Sequence, residues 1–184
     1  MQISNKVQEN LSIKSRLRVF ITGNPGVGKT TILLFLVKEL TNRSYKVAGF
    51  YCPEVREQGR RVGFQIVDIS TNERDWLAKE NEPGRIKIGK YTLLEENAKR
   101  IANITLSSIS KADVLAIDEI GPMELKIRSV RDLIEIMLNS EKPLISVVHR
   151  SQKLLEGKTY TVTVENRDLI KYEILDYIVH NIGK

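Results

Sequence analysis

One stretch, Gly23-Asn24-Pro25-Gly26-Val27-Gly28-Lys29-Thr30, constrains the fold of this chain more than any other part of its sequence. It matches the phosphate-binding loop G-x-x-x-x-G-K-[ST], the Walker A motif, at every fixed position. A short apolar run over Leu17–Ile21 precedes it, and an apolar run with helical character over Thr30–Leu40 follows it. Strand, loop and helix in this order surround an anion with backbone N–H groups and a positive helix end. The motif therefore predicts a nucleotide polyphosphate site, with Lys29 over the β- and γ-phosphates and the Thr30 hydroxyl on Mg²⁺.

A second segment, Val114-Leu115-Ala116-Ile117-Asp118-Glu119, has the pattern of a Walker B motif. Four consecutive apolar residues predict a central parallel strand buried on both faces. Such a strand delivers its last residues to the carboxyl edge of the sheet, where ligands bind in α/β folds. We expect Asp118 to bind Mg²⁺ and Glu119 to orient and deprotonate a water molecule. The simpler interpretation is an acidic pair that merely ends a strand.

The acidic pair also separates classes of P-loop protein. A signalling GTPase needs an Asn-Lys-x-Asp stretch to read guanine, and the sequence has none. Many nucleotide kinases lack a water-activating glutamate directly after the magnesium aspartate, so Glu119 favours hydrolysis. Two alternatives stay open: a P-loop kinase that phosphorylates a nucleotide, a nucleic-acid end or another hydroxyl, and a regulatory ATPase that acts on a partner such as RNA or DNA.

Composition excludes several other classes. The 184 residues include one cysteine, Cys52, and two histidines, so a disulfide framework, a multi-cysteine zinc site and a histidine-rich metal centre are ruled out. No run approaches the roughly 20 apolar residues of a membrane-spanning helix, and the polar start lacks the apolar segment of a secretion signal. We expect a cytoplasmic protein, monomeric by default and without membrane contact. Its formal charge of +6 is spread over scattered basic residues, so nucleic acid is a possible but not a favoured partner.

The order of the remaining segments predicts the fold class: an α/β P-loop NTPase, a three-layer, doubly wound, mostly parallel sheet with a β-hairpin insertion. The hairpin is predicted around a turn near Gly59, and residues 70–92 are expected to be irregular or to form short strands. Residues 1–16 are expected to form a flexible extension, and residues 17–184 a single domain.

His149 follows another predicted buried strand, Leu144–Val148. If that strand lies between the strands that end at Ile21 and Asp118, its carboxyl end faces the γ-phosphate. On this basis we hypothesise that His149 senses or polarises the γ-phosphate or the water. A surface histidine at a strand end is the equally simple alternative.

Four stretches together resemble the cancer-related nucleoside-triphosphatase family of archaea, bacteria and animals. They are Gly-Asn-Pro-Gly-Val-Gly-Lys-Thr-Thr from Gly23 to Thr31, Gly-Phe-Tyr-Cys-Pro-Glu-Val-Arg from Gly49 to Arg56, Arg-Val-Gly-Phe from Arg61 to Phe64, and Asp-Glu-Ile-Gly-Pro-Met-Glu-Leu from Asp118 to Leu125. The similarity spans residues 17–182.

The resemblance implies a Mg²⁺-dependent phosphohydrolase that accepts ATP, GTP, CTP, UTP or TTP. Its nucleotide-binding segments map onto Gly23–Thr31 and onto Val114, Leu115, Ala116, Ile117, Asp118, Glu119, Ile120 and Gly121. Broad base specificity agrees with the absence of a recognisable base-reading motif. The resemblance also brings the hairpin close to the nucleotide, where Arg56 is the preferred candidate for an arginine finger supplied by the chain itself. A solvated loop arginine is the alternative interpretation.

Overall fold

The computed structural model describes residues 16–149 and 156–182. The elements found within these two ranges are β1 (Arg18–Gly23), α1 (Lys29–Asn42), β2 (Val47–Tyr51), β3 (Glu54–Glu57), β4 (Arg60–Asp68), β5 (Arg74–Glu80), β6 (Lys87–Ile88), β7 (Tyr91–Leu93), α2 (Glu95–Ile109), β8 (Val114–Ile120), α3 (Pro122–Lys126), α4 (Arg128–Asn139), β9 (Leu144–Val148), β10 (Lys158–Val162) and α5 (Arg167–Asn181).

Half of the sheet is parallel and carries the Walker motifs. Its strand order is β10-β1-β9-β8-β2, and every neighbouring pair runs in the same direction. Strand β9 therefore lies between β1 and β8, which is the strand order on which the hypothesis for His149 depends. The predicted α/β fold is confirmed, and the carboxyl ends of β1, β9 and β8 meet at one edge of the sheet.

Two apolar layers bury this parallel sheet from opposite faces. Helices α1 and α5 share one core with Val114 and Ala116 of β8, while α2 and α4 share the other core with Leu115 and Ile117. The alternation explains why the Walker B strand reads as a continuous apolar run: each face of the strand packs against helices. Asp118 continues the alternation of Val114 and Ala116, so it belongs to the face that carries α1.

The other half of the sheet is antiparallel and larger than the sequence indicates. The predicted hairpin is present as β3 and β4, joined at Gln58 and Gly59. Beyond it the sheet continues through β5, β7 and β6, in the region expected to be irregular or to contain short strands. A register shift between β4 and β5 pairs Gln65 with Trp76 and Phe64 with Ala78, so Leu77 is an extra residue. This bulge breaks the two-residue period by which strand β5 could have been recognised.

A short helix, α3, follows the Walker B strand and was not predicted. Of the expected extension, residues 1–15 lie outside the described residues, while Arg16 forms an ion pair with Glu141. Across residues 16–149 and 156–182, no helix combines the length and apolar character that crossing a membrane demands.

Candidate active site

The phosphate-binding loop leaves β1 at Gly23 and enters α1 at Lys29. Gly28, directly before the helix, has a φ of +102°, a left-handed conformation that glycine adopts without the steric cost of a Cβ. The first turn of α1 contains no acidic residue, and no side chain caps it. Its N–H groups and the positive end of the helix dipole are thus available to an anion in the loop.

Lys29 lies against the loop. Its Nζ donates hydrogen bonds to the carbonyl oxygens of Gly23, at 3.0 Å, and Asn24, at 2.9 Å. These bonds hold the ammonium against the first two residues of the loop, and the lysine of such a loop contacts the β- and γ-phosphates.

Thr30 and Asp118 are brought together at the carboxyl edge of the parallel sheet, Thr30 from the start of α1 after β1 and Asp118 from the end of β8. The Thr30 hydroxyl lies 3.0 Å from each Asp118 carboxylate oxygen, and the two residues are 88 positions apart in the chain. Asp118 is only 2% exposed. Burial raises the pKa of its carboxyl to about 6, against the lowering effect of the Thr30 hydrogen bond. The site therefore contains a carboxylate that is costly to keep charged without a cation.

Glu119 points out of the sheet although it belongs to the same strand. Its φ is +54°, and the pairing of β8 with β9 slips here, from Ile117 opposite Ser146 to Ile120 opposite Val148. Three steps along β8 thus match two along β9, which makes Asp118 and Glu119 part of a β-bulge. The bulge leaves Asp118 buried and Glu119 exposed, so the two neighbouring carboxylates have different environments.

Partly buried Cys52 and buried Glu124 complete the site, and neither was assigned a chemical role from the sequence. Cys52 lies close to the carboxylates of Asp118 and Glu124. Burial, followed by the charges of Glu124 and Asp118, raises the pKa of the thiol well above its usual value. Cys52 thus has the character of a packed thiol rather than of a nucleophile.

Glu124 is 6% exposed, and its Oε2 accepts the N–H of Gly121 at 3.1 Å. Burial, with the charges of Glu119 and Asp118, raises the pKa of its carboxyl to about 7. A sequence signal for this arrangement exists: proline at the first and glutamate at the third position of a helix are typical of a helix start.

Arg56 and His149 lie at the same edge of the sheet without a demonstrated role. Arg56 is bound within its own hairpin, donating from Nε to Glu54 at 2.6 Å and from Nη1 to the Gly59 carbonyl at 2.9 Å. The hairpin begins just after Cys52, so it extends beyond the carboxyl edge of β2. His149 directly follows β9 and is exposed. The roles of both residues stay predictions.

The donor set fits a magnesium ion. Thr30 Oγ1 and the Asp118 carboxylate offer only hard oxygen ligands, and the buried carboxylate would be stabilised in its ionised form by a cation. In the part of the chain that the structure describes, no group of three or more His, Cys, Asp or Glu residues forms a metal cage. Mg²⁺ takes one or two protein ligands and otherwise keeps waters and substrate phosphates, so two side chains are a sufficient donor set.

Comparison with known proteins gives one family. A family model described as NTPase matches residues 18–175. A nucleoside-triphosphatase THEP1 from Saccharolobus solfataricus is 72% identical over 169 residues, covering 92% of this chain and 97% of the relative. A second THEP1, from Sulfurisphaera tokodaii, is 45% identical over 172 residues, covering 92% and 99%.

Solved structures show the same fold. The crystal structure of THEP1 from Aquifex aeolicus matches with a TM-score of 0.76 at 24% identity, covering 91% of this chain and 100% of that one. The solution structure of a human cancer-related nucleoside triphosphatase matches with a TM-score of 0.68 at 28% identity, covering 88% and 97%.

Proposed function

The chain belongs to the NTPase family and is a nucleoside-triphosphatase, and on this premise we propose that it hydrolyses nucleoside triphosphates to diphosphates with Mg²⁺ bound at Thr30 and Asp118. The observation that carries the proposal is the contact between these two side chains at 3.0 Å, beside the phosphate-binding loop. One comes from the start of α1 and the other from the end of β8, so the contact depends on the whole parallel sheet.

Within the proposed reaction Glu119 is the general base. It follows the proposed metal ligand directly, and its side chain is exposed at the carboxyl edge, where an attacking water has access. A carboxylate there can orient the water and accept its proton. Asp118 is buried and engaged by Thr30, which leaves Glu119 as the carboxylate free to contact solvent.

Binding of the polyphosphate is assigned to the loop and to Lys29. The backbone N–H groups of residues 23–31 and the α1 terminus would hold the phosphate oxygens, and Lys29 would exchange its carbonyl contacts for the β- and γ-phosphates. When held by Thr30 and Asp118, Mg²⁺ would offset the negative charge of the phosphates.

Broad base specificity is part of the proposal. Every group assigned above addresses phosphates or the metal, which all nucleoside triphosphates share. We therefore expect ATP, GTP, CTP, UTP and TTP to be hydrolysed with kcat/KM values within about tenfold of one another, a difference of about 1.4 kcal/mol.

The test is phosphate release from this panel of nucleotides with Mg²⁺, for the wild type, Lys29→Ala and Glu119→Gln. Lys29→Ala should raise KM and lower kcat, because it loses a charge on the phosphates. Glu119→Gln should bind a non-hydrolysable analogue normally and turn over at least about 100-fold more slowly, since it loses only the base. Glu135→Gln, which changes an exposed carboxylate of α4, is the matched control. Equal turnover of wild type and Glu119→Gln would contradict the role of Glu119.

The same assay separates hydrolysis from the kinase alternative, which the curated relatives do not favour. A hydrolase releases phosphate with water alone, whereas a kinase stays slow until a hydroxyl acceptor is added. Phosphate release that rises strongly on addition of a nucleotide or nucleic-acid acceptor, with phosphate transferred to it, would favour the kinase.

A further inference from the structure

Glu124 is a buried carboxylate that the proposed reaction does not use. It lies in α3 at 6% exposure, five residues after the general base. Its Oε2 accepts the N–H of Gly121 at 3.1 Å, and the thiol of Cys52 lies close by. Isolated buried carboxylates are destabilising, so the position calls for a physical explanation.

The segment that Glu124 anchors is the strained part of the site. Glu119 has a φ of +54°, which costs a residue with a Cβ about 1–2 kcal/mol. Such a conformation persists only where the surrounding structure fixes the chain on both sides. On the amino-terminal side Asp118 is held by the hydroxyl of Thr30. On the carboxyl-terminal side the hydrogen bond from Gly121 to Glu124 is the corresponding anchor.

Cys52 is close to both anchors, since the charges of Glu124 and Asp118 both raise the pKa of its thiol. The hydrogen bonds themselves join Thr30 to Asp118 before Glu119 and Gly121 to Glu124 after it. Glu119 lies on the chain between the two fixed points and its side chain is exposed.

We propose that Glu124 is a positioning residue for the hydrolytic reaction, which by holding the N–H of Gly121 keeps the bulge at Glu119 in the conformation that presents its carboxylate to the water. The proposal rests on the proposed function, because it assumes that Glu119 activates the water. Glu124 acts through its length and its acceptor oxygen, and its charge is not required.

Two substitutions of Glu124 separate the effect of its side-chain length from the effect of its charge. Glu124→Gln keeps the length and an acceptor oxygen for the Gly121 N–H but removes the negative charge. Glu124→Asp keeps the charge but is one methylene shorter. If Glu124 positions the loop, Glu124→Gln retains kcat within about threefold and Glu124→Asp loses about 100-fold, the effect of a displacement near 1 Å. If Glu124 were itself a base or an electrostatic group, the order would be reversed.

The measurements are kcat, KM and the Kd of a non-hydrolysable ATP analogue with Mg²⁺. For Glu124→Asp we expect a lower kcat with an analogue Kd within twofold of the wild type, because the phosphate-binding loop is untouched. The matched control is Glu80→Asp: Glu80 is also a buried carboxylate with two partners, Arg60 and Lys90, but it lies in β5 of the antiparallel half. Glu80→Asp should retain the wild-type kcat.

A double variant distinguishes positioning from a general loss of structure. In the Glu119→Gln background the carboxylate to be positioned is gone, so adding Glu124→Asp should lower kcat by less than threefold. An equal loss in both backgrounds would overturn the proposal, as would a wild-type kcat in Glu124→Asp or an equal loss in Glu124→Gln. If instead the proposed function is wrong, the single variant Glu119→Gln turns over at the wild-type rate.

If Glu124→Asp does not fold, Glu124→Met provides the second test. It keeps a side chain of similar length and removes the oxygen that accepts the Gly121 N–H. A several-fold decrease in kcat with an unchanged analogue Kd is expected, and an unchanged kcat would overturn the proposal.

Discussion

Glu119 stores conformational strain at the residue where the proposed chemistry occurs. Its φ of +54° favours glycine, and the cost is tolerated because the bulge turns the side chain out of the sheet while Asp118 stays buried. A stability optimum and a catalytic requirement therefore conflict at this position.

The first prediction is that Glu119→Gly stabilises the nucleotide-free protein by about 1 kcal/mol while abolishing hydrolysis. Ser44→Gly is the control, since Ser44 also has a positive φ, of 68°, but follows α1 away from the site. It should give a similar stabilisation with unchanged turnover. Denaturant unfolding and phosphate release measure the two effects, and a destabilised Glu119→Gly would contradict the assignment of strain.

Glu124 makes the free energy of unfolding depend on pH with a sign opposite to that usual for carboxylates. Burial raises its pKa from 4.5 to about 7, so between these values the folded protein holds a proton that the unfolded chain has released. The free energy of unfolding therefore falls as the pH rises through this window. At about 1.4 kcal/mol per pKa unit, the contribution of Glu124 is about 3 kcal/mol.

The second prediction concerns the free energy of unfolding between about pH 4.5 and 7. It should fall by about 3 kcal/mol less in Glu124→Gln than in the wild type. Urea unfolding at several pH values measures it. Glu80→Gln is a control of opposite sign, because hydrogen bonds from Arg60 and Lys90 lower the pKa of Glu80, and its stabilising effect is lost as the pH falls. Parallel curves for wild type and Glu124→Gln would contradict the raised pKa.

At the scale of elements, the site depends on close contact between β2 and β8, because β2 brings Cys52 to Asp118. Gly49 lies at this contact opposite Ala116, with a φ of +149°. A Cβ at Gly49 would overlap the carbonyl group of Ala116. The two strands can approach at hydrogen-bonding distance only because this residue has no side chain.

The third prediction is that Gly49→Ala destabilises the protein by at least about 3 kcal/mol, through overlap and backbone strain together. Gly59→Ala is the control: this glycine also has a positive φ, of +79°, but nothing lies within 4 Å of a Cβ there. Its cost should be about 1 kcal/mol. Equal losses, measured by denaturant unfolding, would show that conformation alone explains both.

For the whole molecule, the two halves of the candidate site come from segments 88 residues apart, so the site exists only in the folded state. Any ligand of the site must then stabilise the fold, by about 2.7 kcal/mol at 100 times its Kd. The formal charge of +6 also favours the approach of a polyphosphate in a salt-dependent manner.

The fourth prediction concerns a non-hydrolysable ATP analogue added with Mg²⁺. With the analogue at 100 times its Kd, the free energy of unfolding should rise by about 2.7 kcal/mol. For Asp118→Asn, addition of Mg²⁺ to the analogue should give little further increase, because the proposed ligand is lost. Asp132→Asn, on the exposed surface of α4, should behave like the wild type. Thermal unfolding of each protein with the analogue, in the presence and absence of Mg²⁺, measures this increase. A wild-type increase on addition of Mg²⁺ to Asp118→Asn would contradict the assignment of Asp118 as a metal ligand.

The sequence by itself determined the Walker motifs, the strands and helices around them and the α/β class, because glycine spacing, apolar runs and helical periods are local properties. Only the tertiary structure decided that Glu119 turns out of its strand, that Cys52 and Glu124 enclose Asp118, and that residues 70–92 extend the sheet. Each of these depends on register between distant strands, and a bulge that adds one residue on one side of a pair leaves no periodic signal in the sequence. The local sequence motifs therefore predict the chemistry of the candidate site. The exposure of Glu119 and the burial of Asp118 and Glu124 follow instead from how β2, β8 and β9 pair.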